Sequence, residues 1–454
     1  MRSDRKVIVY NIFGLSLLSV PVLFLDHEIL SGARCILGLL FFIIAERDAE
    51  DSRGIWLTVL TLWLAQSIRF SQVLGTDIRA FSLSLLCSLP FTAIIACGIT
   101  LDRLFIRNNH PVAALFMVPV FYTAAVLVFA LVKLGNIANL TTYVMCIPHL
   151  SGNLNWLGEY GMTFAVMLIL SFIAAIVTTD IDRLRKISAA AAVALIGLLF
   201  IIGTLYNSGE IEPDFTLNIA IGLCEKTDFS DCSESKSSRI SKPEVFGNIV
   251  KSAAENGADL LVLNEKFYYV EDGDEDSAMG IVSETVKEYG IPALICFDIA
   301  GEDGEKRTNK VVFFDSEGNA LETYIKRNPV PFVESGKYTM GKGKPGALTY
   351  DFNGHEVNIS FALGFDINNT VYMGKVPKDT ELLIIPSLGW DKCSIEQRRT
   401  FIRSVEHNTT LLKHSYEGFT YVSTPFGVYG EMSDNRGAYE SLRITEVPIW
   451  EKGG

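Results

Sequence analysis

Positive charge is in short supply: 39 Lys and Arg stand against 52 Asp and Glu in 454 residues, for a formal net charge of −13. A surface built to neutralise nucleic-acid phosphates is basic, so the balance argues against a nucleic-acid partner. Metal-ligand spacing is missing as well. The eight cysteines include no CxxC pair and no Cys/His cluster of the kind that holds zinc, so neither a metal nor a cofactor is expected. Cys224 and Cys232 lie close enough in sequence to close a short disulfide loop, with two free thiols as the alternative. Charge of either sign is scarce in residues 1–206, and the mean hydropathy of +0.28 arises almost entirely there. An apolar half therefore precedes a water-soluble one.

Seven apolar stretches fall near the ~20 residues that cross a bilayer, at 7–25, 29–45, 55–68, 81–101, 112–134, 160–178 and 187–206. The third is the shortest and is followed at once by Arg69. With the N-terminus in the cytoplasm, the inner segments carry Arg2, Arg5, Lys6, Arg47, Arg53, Arg103, Arg107, Arg183, Arg185 and Lys186. The outer ones carry only Arg34, Arg69, Arg79 and Lys133. That asymmetry predicts a multi-pass cell-membrane protein with its C-terminal half outside the cytoplasm. No small-x-small pattern follows Leu25, so the first stretch reads as a span and not a cleaved signal. Residues 135–158, polar and interrupted by Pro148, read as a lid or re-entrant segment or as an ordinary connecting loop. Few ionisable residues fall within the spans, which argues against an ion pathway.

After a linker at 207–216, residues 217–454 alternate short β-prone runs with amphipathic stretches. Strands are predicted at 218–225, 258–265, 291–299, 355–366 and 381–390, with helices at 242–256, 277–289 and 394–408. Hairpins are predicted at 309–327 and 410–430. Such alternation implies a layered α/β sandwich.

Within this frame, LLVLNEKF with Glu265, TYIKRNPVPFVES with Lys326 and Glu334, LGFD ending at Asp366, IIPSLGWDKCS and FIRSVEHNTTLL follow one another in an order and spacing that resembles the nitrilase (carbon-nitrogen hydrolase) superfamily. A multi-helix membrane domain ahead of such a domain is similar to the apolipoprotein N-acyltransferase family. The resemblance implies a four-layer αββα sandwich with Glu265 as general base, Lys326 stabilising an oxyanion and Glu334 holding the geometry. It also implies transfer of an acyl group from phospholipid, through a cysteine thioester, to the amine of a lipoprotein at the outer membrane face. Phospholipid and lipoprotein are thus the expected ligands, and the oligomeric state stays open.

The nucleophile of that pattern is missing. Counting back from Asp366 puts Gly364 in the cysteine's place, and a register two residues earlier puts Ala362 there; neither carries a nucleophilic atom. Three substitutes are available. Ser360 sits early in its strand and lacks a dedicated base, Cys393 lies in a segment bordering the family's active-site entrance, and Cys296 imitates the motif on the wrong strand. Two functions follow. One is an acyl-transfer type site lacking the usual Cys, and the other is a catalytically inactive pseudoenzyme that binds lipid or lipoprotein as a scaffold.

Overall fold

In a computed structural model the described residues are 2–19, 28–74, 78–131, 148–179, 181–207, 212–222, 243–271, 274–301, 306–331, 333–388, 393–415, 419–434 and 442–452. The chain divides into two compact units, Met1–Gly209 and Glu210–Gly454.

The first unit is helical. Its long helices are α1 (Arg2–Ser19), α2 (Glu28–Asp48), α3 (Ser52–Leu74), α4 (Ile78–Arg107), α5 (Pro111–Leu131), α6 (Leu154–Thr178) and α7 (Asp182–Asn207). Among the described residues four stretches, Phe81–Arg107, Pro111–Leu131, Leu154–Thr178 and Asp182–Leu205, are long and apolar enough to cross a membrane. Large apolar side chains stay exposed along their outward faces, Val193 and Leu205 each at 71%. Inside the unit the helices are joined by polar contacts. Ser67 and Ser88 share a 2.6 Å hydrogen bond, and the Asn11 amide donates to Thr58 at 3.1 Å while accepting from Thr61 at 2.8 Å. With little water to compete, such bonds hold helices together where apolar burial does not. Gly98 permits the closest approach, since a Cβ there would stand 2.6 Å from Phe121.

One sequence expectation changes here. Residues 154–158, assigned to a loop, open helix α6, which kinks at Gly158, and Pro148–Ser151 form one helical turn just before it; residues 135–147 of that loop lie outside the described residues. Just beyond the predicted spans 29–45 and 81–101, Arg47 pairs with Asp102 at 3.1 Å and Arg103 with Glu46 at 3.5 Å, linking the ends of α2 and α4. Each pair sets an arginine against a carboxyl group, which offsets part of the cost of burying either one between apolar helices.

The second unit is an αββα sandwich. Its strands are β1 (Phe215–Gly222), β2 (Leu260–Leu263), β3 (Tyr268–Val270), β4 (Ala293–Ile299), β5 (Thr308–Phe314), β6 (Ala320–Ile325), β7 (Gly346–Phe352), β8 (His355–Phe361), β9 (Leu382–Ser387), β10 (Thr410–Ser415), β11 (Phe419–Thr424), β12 (Gly427–Asp434) and β13 (Leu442–Ile449). One sheet has the order β13-β1-β2-β4-β5-β6, with β3 paired to β4; the other runs β12-β11-β10-β9-β8-β7. Each has parallel strands at its centre and antiparallel ones outside. Central strands such as LLVL and LLIIPS are buried throughout and almost wholly apolar because both of their faces are covered. One face of the first sheet (Ile219, Val262, Leu294) meets the second sheet (Ile359, Phe361, Ile384) in a shared core. Its other face packs on helices α8 (Pro243–Glu255) and α9 (Glu275–Tyr289) through Phe246, Val250 and Val282. Helix α10 (Cys393–His407) packs against β10 and β11.

The sequence reading missed β3, β7 and β13, and it ran the 355–366 strand too far. The strand stops at Phe361, and a 3-10 turn occupies Gly364–Asn368. Strand β13 pairs antiparallel along all of β1, so the chain's last strand completes the sheet that its first one starts. Cys224 and Cys232 lie outside the described residues.

Candidate functional site

Parallel strands place whatever follows them at one edge of a sheet, where α/β folds gather their functional groups. Here β2 ends at Leu263 and delivers Glu265, β6 delivers Lys326, and β8 delivers the turn that begins at Gly364. Glu265, Lys326 and Glu334 are buried, at 2%, 1% and 5% exposure.

The three come together. Lys326 Nζ donates to Glu265 Oε1 at 2.6 Å and to Glu334 Oε2 at 2.8 Å. Glu265 Oε1 also accepts from the Asn309 amide at 2.7 Å, and its Oε2 accepts from the Leu388 backbone N–H at 3.3 Å. Glu334 Oε2 accepts from the Val330 N–H at 2.8 Å, while its Oε1 holds the ammonium of Lys266. Burial alone would lower the Lys326 pKa, but the two carboxylates outweigh it and hold the ammonium above its ordinary value. Burial likewise opposes ionisation of Glu334, yet Lys326 and then Lys266 pull its carboxyl down to about 2. The result is two carboxylates and two ammonium groups sharing one buried cluster, formally neutral, with every carboxylate oxygen engaged.

Gly364 stands against this cluster. Its φ is +39°, and a Cβ built on it would lie 2.3 Å from Glu265 Oε2. Of the two registers considered, the Gly364 one meets the triad, whereas Ala362 is fully buried in the core between the sheets and its N–H bonds the Ile384 carbonyl. The turn is fixed from two sides. Asp366, fully buried, accepts from the Tyr324 hydroxyl (2.6 Å) and from the Asn328 backbone and side chain (2.8 Å each). Arg403 Nε donates to the Ile367 carbonyl at 3.0 Å. Burial pushes the Asp366 carboxyl up to about 6, against the hydrogen bond from Tyr324.

The substitutes fare differently. Ser360 is buried and its hydroxyl is paired with Thr380 at 2.8 Å, on the strand face away from the inter-sheet core. Cys296 lies in that core with its thiol toward the Leu263 carbonyl, and burial followed by the Glu265 charge raises its pKa well above the ordinary value, so it is no thiolate. Cys393 starts helix α10, and its side chain lies outside the described residues.

Lys266, Asn309 and Tyr324 were not anticipated. Two of them had a signal. The β5–β6 register pairs Lys310 with Ile325, which sets Asn309 across from Lys326, and Tyr324 shares its strand face with Lys326 by simple alternation. Lys266 had none, because its position depends on a left-handed backbone, φ +59°, that nothing in NEKF announces.

No family profile matches the chain, and no curated protein matches it. Solved structures do. A double mutant of the amidase from Nesterenkonia sp. AN1 in complex with acrylamide aligns at 18% identity over 52% of this chain and 93% of that one, TM-score 0.42. A mutant of the same amidase in complex with butyramide aligns at 19% over 51% and 91%, TM-score 0.43. An amidase crystal structure from Nesterenkonia sp. aligns at 20% over 53% and 94%, TM-score 0.41. Another of these amidase structures is described as belonging to the nitrilase superfamily. At such identities and scores, the chemistry of the present chain is left to its own residues.

Proposed function

We propose that this chain is a membrane-embedded protein of nitrilase-like fold whose site binds and does not react: a pseudoenzyme that holds phospholipid or a lipoprotein non-covalently at the outer membrane face. One observation carries the reading. The place where a nucleophile's Cβ belongs is filled by the carboxylate of the would-be general base, 2.3 Å from where that atom would sit. Glu265 has no thiol to deprotonate there, and its lone pairs are taken by Lys326, Asn309 and Leu388. Acyl transfer by this fold's usual route needs a covalent acyl-enzyme, which Gly364 cannot form. The lipid part of the proposal rests on the long apolar helices and on the sequence resemblance to the apolipoprotein N-acyltransferases.

Intact-mass spectrometry of the full chain after incubation with phospholipid, before and after hydroxylamine, tests it. The expected result is phospholipid retained in mild detergent with no covalent adduct. A hydroxylamine-labile acyl group mapped to Cys393 would overturn the proposal and establish an acyltransferase with a displaced nucleophile.

A further inference from the structure

The ends of α2 and α4 carry the same kind of residue pair, Glu46-Arg47 and Asp102-Arg103, but the two ion pairs between them are built differently. Arg47 gives Asp102 a 3.1 Å hydrogen bond and binds Ser171 of α6 at its carbonyl (2.7 Å) and its hydroxyl (2.8 Å). Arg103 instead donates to the backbone carbonyls of Glu46 and Ala49 at the C-terminal end of α2. The helix dipole is negative there, so a guanidinium is stabilised without a carboxylate. Arg103 Nε stands 3.5 Å from Glu46 Oε1 without making a hydrogen bond, and among the described residues neither Glu46 oxygen accepts one, although the side chain is fully buried. Burial penalises an ion that lacks hydrogen bonds far more than it penalises the neutral acid. Glu46 also lines a cavity inside the helical unit, to which Phe42, Leu62, Ile99, Val118 and Met167 contribute from five helices. Of all the lining side chains only Glu46 and Tyr122 carry an oxygen or a nitrogen. About 20 Å³ is open to the centre of a water molecule, and one water needs roughly 10–15 Å³ of such space, so the cavity takes a single water.

We propose that Glu46 is a proton-binding site of the helical unit: at neutral pH its carboxyl is neutral and hydrogen-bonded to one water in the cavity. The charged groups that face it are Asp102, Arg47 and Arg103. Asp102 already balances Arg47, Arg103 is held by the end of α2, and a second negative charge on Glu46 would be set against Asp102. The water supplies the polar partner that a buried acid needs. With the proton in place one positive charge of the four groups is left over, at the end of the unit that the sequence places in the cytoplasm, where positive charge is favoured. When the proton leaves to bulk water, the new carboxylate draws the Arg103 guanidinium away from the α2 carbonyls, so proton binding sets how α2 is joined to α4.

The test uses the full chain in mild detergent. Infrared spectra at about pH 8, well above the ordinary glutamate value of about 4.3, should retain the C=O stretch of a protonated carboxyl, and Glu46→Gln should remove it. Val118→Leu, which fills the cavity, should keep the band and move it to higher frequency as the acid loses its water. Thermal unfolding of the helical unit at the same pH gives a second reading. Glu46→Gln, which matches the neutral acid in shape and charge, should leave the midpoint unchanged, whereas Asp102→Asn, which strands Arg47, should lower it. Absence of a Glu46-dependent band, or an equal fall in midpoint for both substitutions, would show an ionised Glu46 paired with Arg103 and overturn the proposal. A band that Val118→Leu leaves in place would overturn the part played by the water.

Discussion

Gly364→Ala isolates the contact on which the functional reading turns. An L-residue held in a left-handed conformation costs about 1–2 kcal/mol. The added Cβ would also stand 2.3 Å from a Glu265 oxygen, and this oxygen is not the loose end of a flexible chain, because Lys326, Asn309 and the Leu388 N–H hold the carboxylate in place. Overpacking of that kind adds about 1–3 kcal/mol, so the expected total loss is about 2–5 kcal/mol. Amide hydrogen exchange of peptides from β2 and β8 reads the loss where it occurs, free of the helical unit's own stability. The decisive comparison is a double-mutant cycle. In a Glu265→Ala background the space is open, and Gly364→Ala should cost only the backbone part, about 1–2 kcal/mol. Equal costs in the two backgrounds, or a loss below about 0.5 kcal/mol in the first, would show that the Glu265 carboxylate does not fill the nucleophile's place.

Three further outcomes follow from the same contacts. Lys326→Met leaves the Glu265 carboxylate without an ammonium partner while Glu334 keeps Lys266, and should destabilise the second unit by about 3–5 kcal/mol, with most of that recovered when Glu265→Gln is added; denaturant unfolding of the single and double variants measures it. Asp366 titrates near 6 against an ordinary 3.8, so its contribution to stability is full below about 4 and is lost as pH rises through 6. Asp366→Asn should remove about 3 kcal/mol of that pH dependence, seen as a flatter stability profile between these limits. Glu334 runs the other way: held at about 2 against 4.5, it stabilises above 4.5, and that contribution fades as pH falls toward 2, so acid unfolding of a Glu334→Gln chain should start from lower stability and change less with pH.

How far these features could be read from sequence depends on whether they are local. The parallel strands announce themselves as short unbroken apolar runs, and the β5–β6 hairpin by its Asp315-Ser-Glu-Gly-Asn319 turn, in which Asp315 Oδ1 accepts from the Glu317 and Asn319 backbone N–H groups. Strand β13 escaped notice because LRITEVPI alternates apolar and polar residues weakly and carries a proline; it becomes a strand by pairing with β1 some two hundred residues away. The triad was legible through a motif, but its closure was not. Whether Glu265 points toward Gly364 or away from it depends on Asn309 and Leu388, which arrive from a different strand in each sheet.

The persistence of Glu265, Lys326 and Glu334 beside an absent nucleophile is therefore weak testimony for catalysis. Each of these buried ions is tolerable only because the others are present, and deleting any one leaves an uncompensated charge worth about 3–5 kcal/mol. An exchange of uncharged residues at position 364 strands no charge, whereas single losses within the cluster do. Lys266 tightens the dependence further by engaging the last carboxylate oxygen. A site of this kind can lose its reactive atom in one step and keep its charged residues for the sake of the fold.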